Sequence, residues 1–198
     1  MLNLAVEAGI HCMRYEQPAG DGGYVTRNAL MGLVTQIEMG HGCPTSMTSA
    51  ALTTLRFQPE LAEIWEPLIV SRNYDHQLRA PQHKSGVLIG MGMTEKQGGS
   101  DVRANTSTAV AVDGGGPGGE YRLEGHKWFT SAPMCDAFLV LAYAPKGMSC
   151  FLVPRVLPDG IRNSLRFMRL KDKLGNRSNA SAELEFDDTA AWMVGELS

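Results

Sequence analysis

Apolar residues recur at three- and four-residue spacings from Met1 to about Leu78, a period that predicts helices with one buried face. Val25-Thr26-Arg27-Asn28 opens a stretch in which Leu30, Met31, Leu33, Val34, Ile37 and Met39 form such a face, and Cys43-Pro44-Thr45 interrupts it. A second helix is predicted through Met47, Ala50, Ala51, Leu52 and Leu55. A third follows the Pro59 start signal, through Leu61, Ile64, Trp65, Leu68 and Ile69. Methionines and aromatics at this spacing are read as core.

A turn-rich link at 81–86 ends the helical pattern, and period-2 alternation takes over. Thr106, Thr108, Val110 and Val112 alternate up to the glycine-rich run 113–120, read as a loop with no capacity to pack. Short strands are predicted at 121–125, 128–131, 137–143, 149–153, 164–169 and 182–186. No helix of crossover length separates them, so the sheet should be mainly antiparallel. The expected fold is α+β: an N-terminal α-helical domain over residues 1–85, begun partway along a helix, then a β-barrel or sandwich domain over 86–198.

Composition narrows the function. The 198 residues are 43% hydrophobic and 20% charged, enough for one good core or two small ones. A net charge of −3 gives no footprint for nucleic acid, which needs a clustered surplus of Lys and Arg. The four cysteines are widely spaced and no histidine pair stands at i, i+4, so neither a metal site nor a disulfide framework is expected. Reduced thiols fit a cytoplasmic location. No apolar run approaches the ~20 residues of a membrane-spanning helix, and the N-terminus lacks the basic region of a secretory signal. Both ends, the last at Gly195-Glu-Leu-Ser198, are expected to be cut from something longer.

Candidate chemistry gathers in two places. Met91-Gly-Met-Thr-Glu-Lys-Gln-Gly-Gly-Ser-Asp101 sets hydroxyls, two adjacent glycines and two carboxylates in eleven residues. Gly98 and Gly99 lack a Cβ, so the backbone can take positive φ and approach a ligand, and the amides around Ser100 can donate to a phosphate or a flavin carbonyl. Taken alone, the run fits an ordinary glycine turn equally well. Gly125-His-Lys-Trp-Phe-Thr-Ser131 favours the binding reading, because a flat indole beside two hydroxyls suits an aromatic heterocycle.

With these two blocks, and with Leu170-Lys-Asp-Lys-Leu-Gly-Asn-Arg-Ser-Asn-Ala-Ser181 followed by Ala182-Glu-Leu-Glu-Phe186, the whole chain resembles the flavin-dependent acyl-CoA dehydrogenases. It is most similar to their alkylation-response branch, which has Lys96-Gln97 where many members have Pro after the Thr-Glu pair. The resemblance implies FAD as cofactor, an acyl-CoA or related small-molecule substrate, and α,β-dehydrogenation in which a flavin accepts the hydride. It implies cofactor-binding roles for Met91, Gly92, Met93, Thr94, Glu95, Lys96, Gln97, Gly98, Gly99 and Ser100, and for Trp128, Phe129, Thr130 and Ser131. Among these, Trp128 would pack beside the ring and Thr130 would bond near N5. Met93 and Thr94 would meet the pyrimidine end, and Gly99 and Ser100 the pyrophosphate. Glu95 and Asp101 would shape their loop. The family's catalytic base lies in a C-terminal helical domain, which is missing, so no catalytic residue is assigned and the chain alone is expected to be inactive. The full-length protein is expected to be a homo-oligomer, a tetramer, with no membrane association. The alternative is a flavoprotein that protects or binds DNA through the missing C-terminal region, not through this segment.

Overall fold

The computed structural model of the chain describes residues 1–16 and 21–196; Leu197 and Ser198, at the expected cut end, lie outside the described residues. Five helices come first: α1 (Leu2–Glu7), α2 (Met13–Glu16), α3 (Gly23–Thr35), α4 (Gly42–Leu55) and α5 (Pro59–Ile69). Seven strands follow: β1 (Ile89–Thr94), β2 (Thr108–Ala111), β3 (Glu120–Ser131), β4 (Ala137–Ala144), β5 (Gly147–Pro154), β6 (Leu165–Leu170) and β7 (Ser181–Val194).

The helices α4 and α5 follow their sequence pattern closely. Pro59 occupies the first turn of α5, where an N–H has no intrahelical partner anyway, and Leu61, Trp65 and Ile69 fall one turn apart on its buried face. Ala51, Leu52 and Leu55 of α4 join them in one cluster with Ile89, Leu139, Leu152 and Val194 of the sheet. Two expectations fail. Helix ends at Ile69 rather than near Leu78, and 71–80 carries no regular structure. The apolar face of α3 is not core: the helix has no buried residue, and Val25, Leu33, Ile37 and Met39 are exposed. Periodicity identifies a face that can be buried, and the described residues cover only part of it, leaving Leu30, Met31 and Val34 half-buried.

The sheet closes on itself. The order β1-β3-β2-β4-β5-β7-β6 is completed by β1–β4 and β3–β7 pairings, so β1, β3, β7, β5 and β4 form a ring. The ladders are antiparallel except where β1 and β2 run parallel to β4. Strand β6 stays at the edge, paired to β7 only. The two segments predicted at 121–125 and 128–131 are one twelve-residue strand, and β7 runs on to Val194 past the predicted 186. Both differences come from β-bulges, which break local alternation without ending the strand. At one of them Gly125 has φ 131°, and a Cβ there would lie 2.5 Å from the Ser107 hydroxyl, so only glycine fits. In β2 the small residue Ala109 points inward, and Val110 is exposed. The 113–120 loop is pinned, with Gly118 and Gly119 exchanging backbone hydrogen bonds with Met193.

One ion pair ties β1, the start of β2 and β3 together. Glu95, 1% exposed, receives the Lys127 ammonium at 2.7 Å, the Ser107 hydroxyl at 2.6 Å, the Thr106 hydroxyl at 2.9 Å, and the amides of Thr106 and Ser107 at 2.6 and 3.1 Å. Lys127 is fully buried. Burial pushes the Glu95 carboxyl up, but the Lys127 ammonium, the Ser107 hydroxyl and the two amides outweigh it and bring the group down to about 2. Burial likewise draws the Lys127 ammonium below its usual range, against the pull of Glu95.

Two outcomes follow for stability. Lys127→Met should destabilise by about 3–5 kcal/mol, since it strands a buried carboxylate, while the Glu95→Gln/Lys127→Met double variant should lose clearly less than the sum of its single variants; urea unfolding of the four proteins measures the coupling. Because the folded Glu95 group lies at about 2 against 4.5 unperturbed, its contribution is fully present above about pH 4.5 and is lost as pH falls toward 2. Acid titration of the Glu95→Gln variant should lack that component of the loss.

Candidate functional site

Strand pairing brings the two candidate segments edge to edge. In the β1–β3 ladder Met91 faces Ser131 and Gly92 faces Thr130, and after a register shift Thr94 faces Phe129. Residues 91–94 are therefore strand rather than loop, and the loop begins at Glu95. Alternation splits the strand. Met91 and Met93 pack against the helix-facing cluster, whereas a Cβ on Gly92 would meet Thr130 Oγ1 at 2.9 Å and Lys127 Cγ at 3.2 Å. The Thr130 hydroxyl is buried and has no hydrogen-bond partner in the protein. Ser131 Oγ lies 3.4 Å from Ser181 Oγ.

The 95–101 loop is held from within. Gly98 donates to the Glu95 carbonyl at 3.0 Å, and Gln97 Nε2 reaches Asn105 Oδ1 at 3.2 Å while Asn105 Nδ2 donates to the Met93 carbonyl at 2.9 Å. Asp101 caps a short 3₁₀ turn (Val102–Ala104) by accepting from the Arg103 amide at 3.1 Å. Gly98 has φ 126°, a left-handed value that favours glycine. Gly99 does not have positive φ; its constraint is space, because a Cβ would come 2.8 Å from Thr94 Oγ1. Gly99 and Ser100 themselves are exposed at the tip. Of the fourteen residues expected to hold a cofactor, the structure sends the Glu95 side chain inward to Lys127 and leaves Lys96, Gln97, Gly99, Ser100 and Phe129 at the surface.

The second segment meets the first through His126, whose Nε2 accepts from the Lys96 amide at 3.0 Å. Trp128 is half-buried, with Lys171 Nζ 3.1 Å from its ring centroid and Lys96 Nζ and Arg169 Cζ each at 5.6 Å. Glu183 on β7 binds both Lys171, at 2.6 Å, and Arg169, at 2.7 Å, and the Lys171 ammonium holds its carboxyl below the usual range. A cleft of about 440 Å³ opens here, lined by Lys96, His126, Trp128, Met168 and Glu183 among others. An apolar cleft of about 350 Å³ lies apart from it, between α5 and the barrel, around Trp65 and Trp192.

Lys127 and Glu183 were not singled out by sequence reasoning, and Lys171, a charge that could meet a phosphate, reads in the sequence as part of a solvated face. For Lys127 a signal exists: it shares the inward phase of Tyr121 and Leu123 on β3, so its charge needed a buried partner. Lys171 and Glu183 have no such signal, because charges on strands and loops are usually solvated.

Comparison with known proteins bears on the family and the fold. Residues 90–189 match the family model "Acyl-CoA dehydrogenase, middle domain", and residues 1–76 match "Adaptive response protein AidB N-terminal domain". The chain is 50% identical over 187 residues to the putative acyl-CoA dehydrogenase AidB of Escherichia coli, covering 94% of this chain and 34% of that one. It is 34% identical to acyl-CoA dehydrogenase family member 11 of Caenorhabditis elegans, covering 78% of this chain and 25% of the relative. Among solved structures, the apo form of Bd2924 superposes with a TM-score of 0.84 at 31% identity, covering 99% of this chain and 39% of that one. Caenorhabditis elegans ACDH-11 in complex with C11-CoA superposes with a TM-score of 0.83 at 29% identity, covering 99% and 34%. The chain thus spans about a third or less of the length of these curated relatives. Among the described residues no helix is long and apolar enough to cross a membrane. On its middle-domain and AidB N-terminal matches, the chain belongs to the acyl-CoA dehydrogenase family, in its alkylation-response branch.

Proposed function

We propose that this chain is the FAD-binding part of an oxidoreductase that dehydrogenates acyl-CoA thioesters at the α,β position. The observation that carries the reading is the β1–β3 ladder, which sets Gly92 against Thr130 and Thr94 against Phe129 and so makes one continuous edge of the two motif segments. The unpartnered Thr130 hydroxyl supports it, since a buried hydroxyl without a partner costs free energy that a ligand acceptor would recover. The Gly99–Ser100 tip, exposed and free of side-chain bulk at Gly99, suits close approach of a pyrophosphate.

Bound FAD would supply the hydride acceptor. The chain's own residues do the rest of the holding: Trp128 offers an aromatic wall, Thr94 and Thr130 offer hydroxyls, Met91, Gly92, Met93, Phe129 and Ser131 form the strand edge, and Lys96, Gln97, Gly98, Gly99 and Ser100 form the phosphate end. Glu95 contributes through the loop it fixes. With Glu95 enclosed by five donors and Asp101 spent on a cap, proton abstraction from the acyl α-carbon is assigned to a residue outside this chain. The exposed part of the α3 stripe, Val25 and Leu33 with Ile37 and Met39 beyond it, supports burial against further protein and a homo-oligomeric whole.

A retained yellow colour after gel filtration, with FAD affinity read from flavin absorbance, tests the reading. Trp128→Ala should weaken FAD by about 1–3 kcal/mol, the usual loss on truncating an aromatic stacking contact, with Trp65→Phe and Trp192→Phe weakening it less; unchanged affinity in Trp128→Ala would remove the stacking role. Gly99→Val should weaken FAD binding more than it lowers the melting temperature, because a β-branched side chain at the exposed tip obstructs close approach of the cofactor to the backbone. Equal or greater damage to stability would make Gly99 a turn residue only.

A further inference from the structure

Lys171 follows the end of β6, and its amide donates to the Ser181 carbonyl at 2.7 Å, so its backbone is fixed to the start of β7. Its side chain is only 10% exposed, low for a lysine, against 64% for the neighbouring Arg169. An ammonium withdrawn that far from water needs substitutes for its lost hydration. Glu183 supplies one at 2.6 Å, and the face of the Trp128 indole supplies another at 3.1 Å from the ring centroid.

The Phe129 ring is also near the ammonium, at 5.7 Å. Consecutive residues of a regular strand point to opposite faces. The register shift between Lys127 and Thr130 is what lets Trp128 and Phe129 both approach one cation. Bulge, cation and carboxylate converge from β3, the β6 end and β7, which is more than a solvated lysine beside a surface tryptophan requires.

We propose that Lys171, anchored by Glu183, is a positioning residue that fixes the orientation of the Trp128 indole for the flavin; this rests on the FAD reading above. Arg166, a solvated guanidinium on β6 paired to Asp187, serves as the control for charge alone.

The test uses the full chain without cofactor and then with FAD. The indole Nε1–H resonance of Trp128, assigned by its absence in Trp128→Phe, reports ring order through its heteronuclear NOE, and flavin absorbance reports affinity. Lys171→Met should lower the order at Trp128 and weaken FAD roughly three- to tenfold, the range of one cation–π contact. Lys171→Arg should restore most of both, and Glu183→Gln should shift both in the direction of Lys171→Met. Arg166→Met removes the same charge and should leave the indole ordered. Unchanged order at Trp128 in a folded Lys171→Met protein would overturn the proposal, as would equal loss of FAD affinity in Lys171→Met and Arg166→Met. Lost order at Trp128 combined with unaltered FAD affinity in Trp128→Ala would place the failure on the flavin reading and leave the anchor standing.

Discussion

Enclosing Glu95 and Lys127 together strips hydration from two full charges, a penalty of several kcal/mol for each ion. The fold offsets it by placing four further donors, two hydroxyls and two backbone amides, on the carboxylate that the ammonium already holds. Those donors come from the start of β2, the carboxylate from the end of β1, and the ammonium from β3. A pair that must satisfy so many partners at once tolerates little movement, so the loop after β1 and the aromatic segment of β3 are held in fixed relation. The candidate cofactor edge inherits its geometry from an interaction that itself has no surface to offer a ligand.

Sequence patterning carried much of this fold and a definite part of the site. Helices α4 and α5 were legible because their apolar residues recur at helical spacing and Pro59 marks the start of α5, although Pro44, read as a break, lies within the first turn of α4. Strand β4 was legible because residues 137–140 are all buried. The failures have separate causes. The stripe on α3 is as regular as the others, but periodicity reports capacity for burial and says nothing of what covers it. Bulges in β3 and β7 interrupted alternation and made long strands read as short ones. In β2 Ala109 faces the interior and Val110 is exposed, so alternation located the strand and left its buried face open.

At the site, the two motif segments were found by residue type, yet their adjacency depends on a long-range ladder that no local pattern encodes. Glycine chemistry was half right: Gly98 takes positive φ, while Gly99 is constrained by contact with Thr94. The cation on Trp128 was beyond reach, since Lys171 lies 43 positions away in sequence and meets the ring only through a bulge.

Among the described residues strand β6 has β7 on one side and no strand on the other, and Phe167, Met168 and Leu170 along it are exposed. A bare edge of that kind is a template for adding a foreign strand. Arg166 and Arg169 stand on the same strand, paired with Asp187 and Glu183 of β7, and their guanidinium groups make the edge costly for another chain to dock against. On this strand, set outside the closed ring, charge stands where a foreign strand would otherwise find a row of free backbone donors and acceptors.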